Sequence, residues 1–293
     1  MNSTLSRRHT LAVLASAVLA GRLRGQAPNA LRIGVMDGIT GRACQPESVE
    51  IAANLGLAGV QVTLGSQQPS GGLLLSDPQL QRGYIEASKR FNVALPNTYL
   101  DVLHRDCLKD DSTQALHWIR EGLSITKALG ANVLMLVFFG KCAIEKAPEQ
   151  KAVIEPLREA CRMAQDMGIV LGFENTISAP ANIAILDAVN SPALKVWYDI
   201  GNSTNVGHFN VPEEIRLLGR ERICAFHIKD KGYLDAGAVP VRGALEAIHD
   251  IGFQGFAMLE TPSPTGDHVA DLRQNLEILR RDMADVKSGP ANK

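Results

Sequence analysis

Short apolar segments alternate with longer segments of helical periodicity along most of this chain. The first apolar segment, residues 31–36, is followed by residues 45–57, in which Ile51, Ala52 and Leu55 fall on one face of a helix. Apolar runs rich in Val, Ile and aromatic side chains are typical of buried parallel strands when helical segments separate them. The pattern therefore predicts eight strands, which begin near residues 31, 59, 92, 132, 169, 195, 223 and 256.

Capping residues mark the ends of several predicted helices. Asp77 followed by Pro78 is a typical helix start, because aspartate accepts a backbone hydrogen bond and proline suits the first helical turn. Gly130 and Gly168 follow two predicted helices, and glycine favours helix termination. The sequence predicts helices over residues 45–57, 77–90, 112–129, 148–167, 181–189, 212–218, 243–251 and 269–283.

Strands and helices that alternate in this way form either a closed (β/α)8 barrel or an open doubly wound sheet. The number of strands favours the barrel. A doubly wound nucleotide-binding sheet would carry a glycine-rich turn after its first strand, but the segment Met36-Asp37-Gly38-Ile39 has one glycine. We therefore predict that residues 30–286 form a single (β/α)8 TIM barrel of the α/β class.

Each of the last four predicted strands ends in a side chain that can bind a metal. The apolar runs IVLGF, LKVWY, ICAF and FAML precede Glu174, Asp199, His227 and Glu260, respectively. Because the carboxyl ends of barrel strands share one rim, these side chains are expected to converge. Carboxylate oxygens with a single imidazole suit Mn2+, Mg2+ or Co2+.

The segments around these residues resemble the strand ends of the xylose isomerase-like TIM barrels. They are most similar to the sugar phosphate isomerase/epimerase group, which includes ketose 3-epimerases, hydroxypyruvate isomerases and inosose dehydratases. The resemblance implies one divalent metal ion, most often Mn2+. It also implies a carbohydrate whose adjacent carbonyl and hydroxyl oxygens chelate that ion. The segments that carry the resemblance are Gly172-Phe173-Glu174-Asn175, Trp197-Tyr198-Asp199-Ile200-Gly201-Asn202, Phe226-His227-Ile228-Lys229-Asp230 and Leu259-Glu260-Thr261-Pro262.

Proton transfer between neighbouring carbons of a hydroxyketone explains these residue types. The reaction creates an enediolate whose negative charge a metal ion stabilises, and it needs one carboxylate to take the proton and one carboxylic acid to return it. The resemblance implies that Glu174 and Glu260 are the catalytic acid/base pair as well as metal ligands. Asp199 and His227 would then be purely structural ligands.

Four further residues are predicted to bind substrate. Asn97 follows the third strand, and Lys229 could polarise a substrate hydroxyl or simply pair with Asp230. Asn202 stands where ketose 3-epimerases tend to carry a substrate-binding histidine, a difference that argues against a free ketohexose. His208 could enter the site from the loop beyond the sixth strand, or face solvent.

Other functions remain open at this stage. A lyase or dehydratase acting on a keto-sugar, keto-glycoside or inosose would abstract the same proton and then expel a substituent. Retention of all four ligand types disfavours a non-catalytic sugar-binding barrel, although loss of activity through changes in the pocket would leave no trace in these four residues. A DNA-repair barrel of the endonuclease IV class needs additional histidines, which are missing near Gln61-Val62-Thr63 and Phe138-Phe139.

The first residues read as an export signal. Ser6-Arg7-Arg8-His9 precedes the apolar stretch Leu11–Ala20, which is too short to span a bilayer. The paired arginines resemble a twin-arginine signal, so residues 1–27 are predicted to be cleaved or disordered and the protein to be periplasmic or otherwise exported. No stable membrane insertion is expected afterwards, and residues 287–293 are predicted to be a flexible tail.

Composition and charge limit the partners. The chain has 293 residues, 45% hydrophobic and 21% charged, which is typical of a globular enzyme. Loss of residues 1–27 removes four arginines and no acid, so the formal charge moves from −1 to −5. This acidic balance argues against nucleic acid as a partner, whereas the family resemblance implies a small carbohydrate. A homo-oligomer is left open.

Five cysteines are scattered without a CxxC pair, at positions 44, 107, 142, 161 and 224. An odd number cannot form a complete disulfide framework. We therefore predict that the cysteines are buried and behave as small apolar residues. The sequence leaves open whether two of them form one disulfide in an oxidising compartment.

Overall fold

A computed structural model describes residues 31–69 and 71–288 of the protein. Its eight strands pair in parallel in sequence order, and the first strand pairs with the last to close the barrel. The predicted single (β/α)8 barrel is therefore confirmed. The predicted export signal, residues 1–27, and the last five residues of the predicted tail lie outside the described residues. Within the described part of the chain, every helix is too short or too polar to cross a membrane.

The eight strands form the inner wall, and each is followed by a helix that covers it from outside. The strands are β1 (Arg32–Met36), β2 (Gly59–Thr63), β3 (Ala94–Leu100), β4 (Val133–Val137), β5 (Val170–Glu174), β6 (Leu194–Asp199), β7 (Ile223–Ile228) and β8 (Phe256–Leu259). The helices are α1 (Glu47–Asn54), α2 (Pro78–Phe91), α3 (Ser112–Ala128), α4 (Ala147–Met167), α5 (Ala179–Val189), α6 (Ile200–Asn205), α7 (Val211–Arg222), α8 (Val241–Asp250) and α9 (His268–Ser288).

The helix ends follow the capping signals. Asp77 accepts a hydrogen bond from the backbone N–H of Gln79 at 2.7 Å, with Pro78 at the start of α2. Gly168 ends α4 in the left-handed conformation with φ 70°. Helix α9 runs to Ser288, so it continues beyond the predicted end at Met283 and into the segment predicted as a tail. The short helix α6 was not predicted from the sequence.

Strand β3 is longer than predicted and continues through Pro96 to Leu100. Pro96 lacks an N–H group, which argued for a strand end. The structure accommodates it at an irregularity between β2 and β3, where Gly59 pairs with Ala94 but Gln61 pairs with Asn97. A β-bulge leaves one residue of the ladder unpaired, and such irregularities are among the places where proline occurs within sheets. The extension carries β3 to the rim of the barrel.

Two of the five cysteines are paired with each other. Cys107, after β3, and Cys142, after β4, form a disulfide whose Cα atoms are 4.9 Å apart. They are 35 residues apart in sequence, but their loops are neighbours because β3 and β4 are adjacent strands. Cys44, Cys161 and Cys224 are free. The single disulfide that the sequence left open is therefore present.

Candidate metal centre

Four side chains at the carboxyl ends of β5 to β8 lie close together inside the barrel mouth. Glu174, Asp199 and His227 are buried, and the side chain of Glu260 is 24% exposed. One ligand atom from each of the four residues lies within 4.8 Å of the others. Strands adjacent in the barrel thus bring together residues that are far apart along the chain.

The donor set fits a divalent cation. Three carboxylates and one imidazole are ligands that Mn2+, Mg2+ and Co2+ accept, whereas sites that select softer metals use thiolates. Buried carboxylates are costly unless positive charge compensates them. Lys229 supplies one positive charge for three carboxylates, so a divalent cation here would balance the site.

His227 directs a specific nitrogen toward the carboxylates. Its Nδ1 lies 2.8 Å from Glu174 Oε1 and 3.1 Å from Glu260 Oε2, whereas its Nε2 lies 2.8 Å from Gln61 Oε1. Because an amide oxygen only accepts hydrogen bonds, Nε2 carries the proton. In the neutral imidazole, Nδ1 is therefore the nitrogen that could bind a metal ion. Gln61 was not predicted as a functional residue, although a glutamine within an apolar strand was a signal for it.

The imidazole ring of His227 packs against an indole ring. Trp197 packs edge-on against His227, with ring centroids 5.0 Å apart. Gly172 on the neighbouring strand makes room for it, because an added Cβ would lie 3.1 Å from Trp197 Cε3. This glycine and tryptophan belong to the segments that carry the family resemblance. Trp197 contacts His227 directly, and Gly172 leaves the space that this contact needs.

Lys229 lies between two of the candidate ligands. Its Nζ is 2.8 Å from Asp199 Oδ2 and 2.7 Å from Glu260 Oε2. The alternative that Lys229 pairs with Asp230 is wrong, because Asp230 instead accepts hydrogen bonds from the backbone N–H groups of Lys231 and Val239. Asp199 uses its other oxygen, Oδ1, to accept from the backbone N–H of Asn202 at 2.8 Å and so caps α6.

A cavity of about 450 Å3 opens above these residues, within the size range of small-molecule sites. Of the predicted substrate-binding residues, Asn202 and Lys229 line it. Asn97 does not, since it is buried within β3 below the rim. His208 lies exposed in the loop after α6 and does not line it either. The lining residues that the sequence missed include three with ring side chains, Tyr99, His104 and Phe139.

Comparison with known proteins identifies the family of this barrel. Residues 49–282 match the family described as the xylose isomerase-like TIM barrel. The chain belongs to this family. Over 256 residues it is 24% identical to 2-epi-5-epi-valiolone 7-phosphate 2-epimerase from an Actinoplanes species, an alignment that covers 84% of this chain and 93% of the relative.

Solved structures with the same fold include sugar epimerases. D-allulose 3-epimerase from a Methylomonas species aligns with a TM-score of 0.69 and 17% identity, over 87% of this chain and 99% of that one. L-ribulose 3-epimerase aligns with a TM-score of 0.71 and 13% identity, over 88% and 96%. At these identities the likeness establishes the fold.

In this xylose isomerase-like barrel, the two glutamates differ in acidity. Burial raises the pKa of Glu174 to about 7, although His227 opposes the shift. Burial would also raise the pKa of Glu260, but His227 and Lys229 bring it well below its usual range. Burial lowers the pKa of His227, yet Glu260 and Glu174 overcome this effect and raise it well above its ordinary value. Two carboxyl groups with opposed pKa shifts in one cavity are typical of an acid/base pair.

Proposed function

We propose that this protein is a divalent-metal-dependent isomerase or epimerase of a small sugar or sugar derivative. The observation that carries the proposal is that Glu174, from β5, and Glu260, after β8, line the same cavity. Both also belong to the group of candidate metal ligands, here called the ligand cluster, which consists of Glu174, Asp199, His227 and Glu260. Membership of a family with sugar epimerases among its structural relatives supports the carbohydrate substrate. Mn2+ is the metal we would test first.

The residues divide the chemistry between them. Glu174, Asp199, Glu260 and Nδ1 of His227 would hold the cation, whose positive charge would stabilise the negative charge that develops on a substrate oxygen. Lys229, bonded to Glu260, keeps that carboxylate ionised and therefore able to take a proton from the substrate carbon. Glu174 would return one to the carbon, a role that burial favours by raising the pKa of its carboxyl group to about 7. Gln61 keeps His227 oriented throughout.

Deuterium exchange tests this assignment directly. Wild-type protein with Mn2+ is expected to incorporate deuterium from D2O into a ketose or keto-glycoside, and chelation of the metal is expected to stop the exchange. Glu174→Gln and Glu260→Gln should each lower the exchange rate by at least about 100-fold, because each removes one proton-transfer group. Glu277→Gln, an exposed change on α9, is the control.

The outcome of that experiment also separates neighbouring reactions. Near-wild-type exchange in either glutamine variant would overturn the acid/base roles. Exchange that ends in an isobaric sugar supports the isomerase or epimerase. An unsaturated ketone or a released aglycone would instead assign a lyase, since elimination begins with the same proton abstraction.

We also propose that the protein acts outside the cytoplasm, in the periplasm or a similarly oxidising compartment. Two observations support this location. Residues 1–27 have the pattern of a twin-arginine signal. The disulfide Cys107–Cys142 is of a kind that persists in oxidising compartments and is rare in the cytosol.

A further inference from the structure

One wall of the cavity consists of aromatic residues that the ligand cluster does not use. Tyr99 lies near the end of β3, His104 follows in a 3-10 turn, and Phe139 follows β4; all three line the cavity. The Tyr99 hydroxyl lies 2.7 Å from His104 Nε2. The imidazole stacks on Phe139, with centroids 5.9 Å apart and planes inclined by 29°. The histidine is therefore held on two sides.

The loops that carry this wall are tied to each other. The disulfide Cys107–Cys142 joins the loop after β3 to the loop after β4. Lys109 adds a hydrogen bond from its Nζ to the carbonyl of Ala143 at 2.6 Å. The same ammonium group pairs with Glu149 at 3.0 Å. A side chain on such a braced loop loses little conformational freedom when a ligand binds.

The wall is electrically neutral and able to hydrogen bond. Partial burial lowers the pKa of His104, and burial with nearby carboxylates raises the pKa of Tyr99 above its usual range; both shifts favour the uncharged forms at neutral pH. Tyr99 occupies Nε2 of His104, and within the described residues Nδ1 makes no hydrogen bond. A neutral imidazole nitrogen can donate to or accept from a hydroxyl group.

The charges around the wall disfavour an anionic ligand group there. Glu145, Glu174 and Glu260 line the same cavity, and the ammonium group of Lys229 is already paired with two carboxylates. With Lys229 and a divalent cation balancing Glu174, Asp199 and Glu260, a phosphate group near His104 would still face the carboxylate of Glu145 without a free cation among the lining residues. A hydroxyl group would meet no such repulsion.

We propose that His104, oriented by Tyr99, forms a subsite that hydrogen-bonds a sugar hydroxyl on carbons remote from the metal-binding residues. The inference rests on the proposed function and deepens it. The expected substrate is a carbohydrate whose carbon chain extends beyond the carbonyl group and its adjacent hydroxyl groups. The end of this chain that contacts His104 carries no charge. His104 acts here in binding and specificity.

Ligand truncation tests the subsite. Calorimetric titration of Mn2+-loaded protein would compare dihydroxyacetone, which has only a carbonyl and adjacent hydroxyls, with a panel of ketopentoses and ketohexoses. We expect the best longer ketose to bind the wild type at least about 10-fold more tightly than dihydroxyacetone. His104→Phe keeps the ring on Phe139 but loses both nitrogens, so it should abolish most of that advantage and change dihydroxyacetone binding by less than about twofold.

Two controls keep the test interpretable. Tyr99→Phe retains the ring and removes only the hydroxyl that orients His104, so it should weaken the longer ketose by a smaller factor; it also serves if His104→Phe does not fold. His249→Phe, an exposed histidine in the last turn of α8, should change neither affinity.

The contrary outcomes are distinct. Equal effects of His104→Phe on both ligands, no effect on either, or no advantage of longer ketoses in the wild type would overturn the subsite. A ketose phosphate that binds more tightly than its parent ketose would contradict the uncharged end. Failure of every ketose, dihydroxyacetone included, to bind the wild type would overturn the proposed function itself, and the subsite with it.

Discussion

Gln61 is a polar residue within β2, and its amide oxygen determines which nitrogen of His227 faces the carboxylates. Both side chains are fully buried, and the 2.8 Å contact between them is the hydrogen bond formed by Nε2. A metal-binding histidine is usually oriented by such a partner on its second nitrogen. Lys229 has a comparable effect on Glu260, which it keeps ionised. The chemistry of the site thus depends on residues beyond the four ligands.

Replacement of Gln61 by Met tests whether Gln61 orients the imidazole of His227. The change preserves side-chain length but removes the acceptor, so the N–H of His227 would be buried without a partner. We expect Mn2+ affinity, measured by calorimetry, to fall about 10- to 100-fold. Gln254→Met, an exposed change in the loop before β8, is the control. Unchanged affinity in Gln61→Met would show that another contact orients the imidazole.

At the scale of elements, the length of β3 determines what reaches the cavity. The bulge near Pro96 lets the strand continue to Leu100, so Tyr99 lies at the rim while Asn97 stays below it. The loops after β3 and β4 then extend the wall, and the disulfide Cys107–Cys142 joins them. The end of β3 and the two neighbouring loops therefore form the cavity wall together, and the disulfide keeps these loops in contact.

Loss of the disulfide should affect both stability and ligand affinity. A cross-link that closes a loop of 35 residues contributes about 4 kcal/mol in the chain-entropy account. We expect Cys107→Ser with Cys142→Ser to lower Tm by about 10 °C and to weaken binding of the longer ketose. Mn2+ affinity should be unchanged, because all four ligands lie on other strands.

Reductant provides the matched control for this double variant. It should lower the Tm of the wild type toward that of the variant and leave the variant unaffected. Cys44→Ser, a change at a free cysteine, should preserve the response of the wild type. A wild type that is insensitive to reductant would contradict the structural role of the bond.

At the scale of the whole molecule, closure of the barrel by β1 and β8 brings all strand ends to one rim. The rim holds the ligand cluster, the disulfide-braced loops and the cavity together. The predicted export signal and the disulfide are independent features that favour the same oxidising location. A folded, cross-linked barrel is also compatible with twin-arginine export, which carries folded proteins.

Cell fractionation of a Gram-negative host tests the location. We expect the wild type in the periplasm, with a mature mass that lacks an N-terminal segment. Arg7→Lys with Arg8→Lys should retain the protein in the cytoplasm, because the paired arginines are the proposed recognition signal. Arg22→Lys with Arg24→Lys, which preserves the pair, is the control. Cytoplasmic, full-length wild type would reject export.

The sequence by itself predicted the barrel and the convergence of the four candidate ligand residues. Strand and helix periodicities are local, and parallel strands place their carboxyl ends on one rim whatever the loops do. It therefore indicated Glu174, Asp199, His227 and Glu260 correctly as a group that converges.

Only the tertiary structure decided the finer features. The contact of Gln61 with His227, the place of Lys229 between two carboxylates, the rim position of Tyr99 and the pairing of Cys107 with Cys142 each join different strands or loops. Such contacts depend on strand register and loop conformation, and neither leaves a periodic trace in the local sequence. The physical reason is that periodicity encodes which face of an element is buried, whereas pairing across elements is settled when the barrel closes.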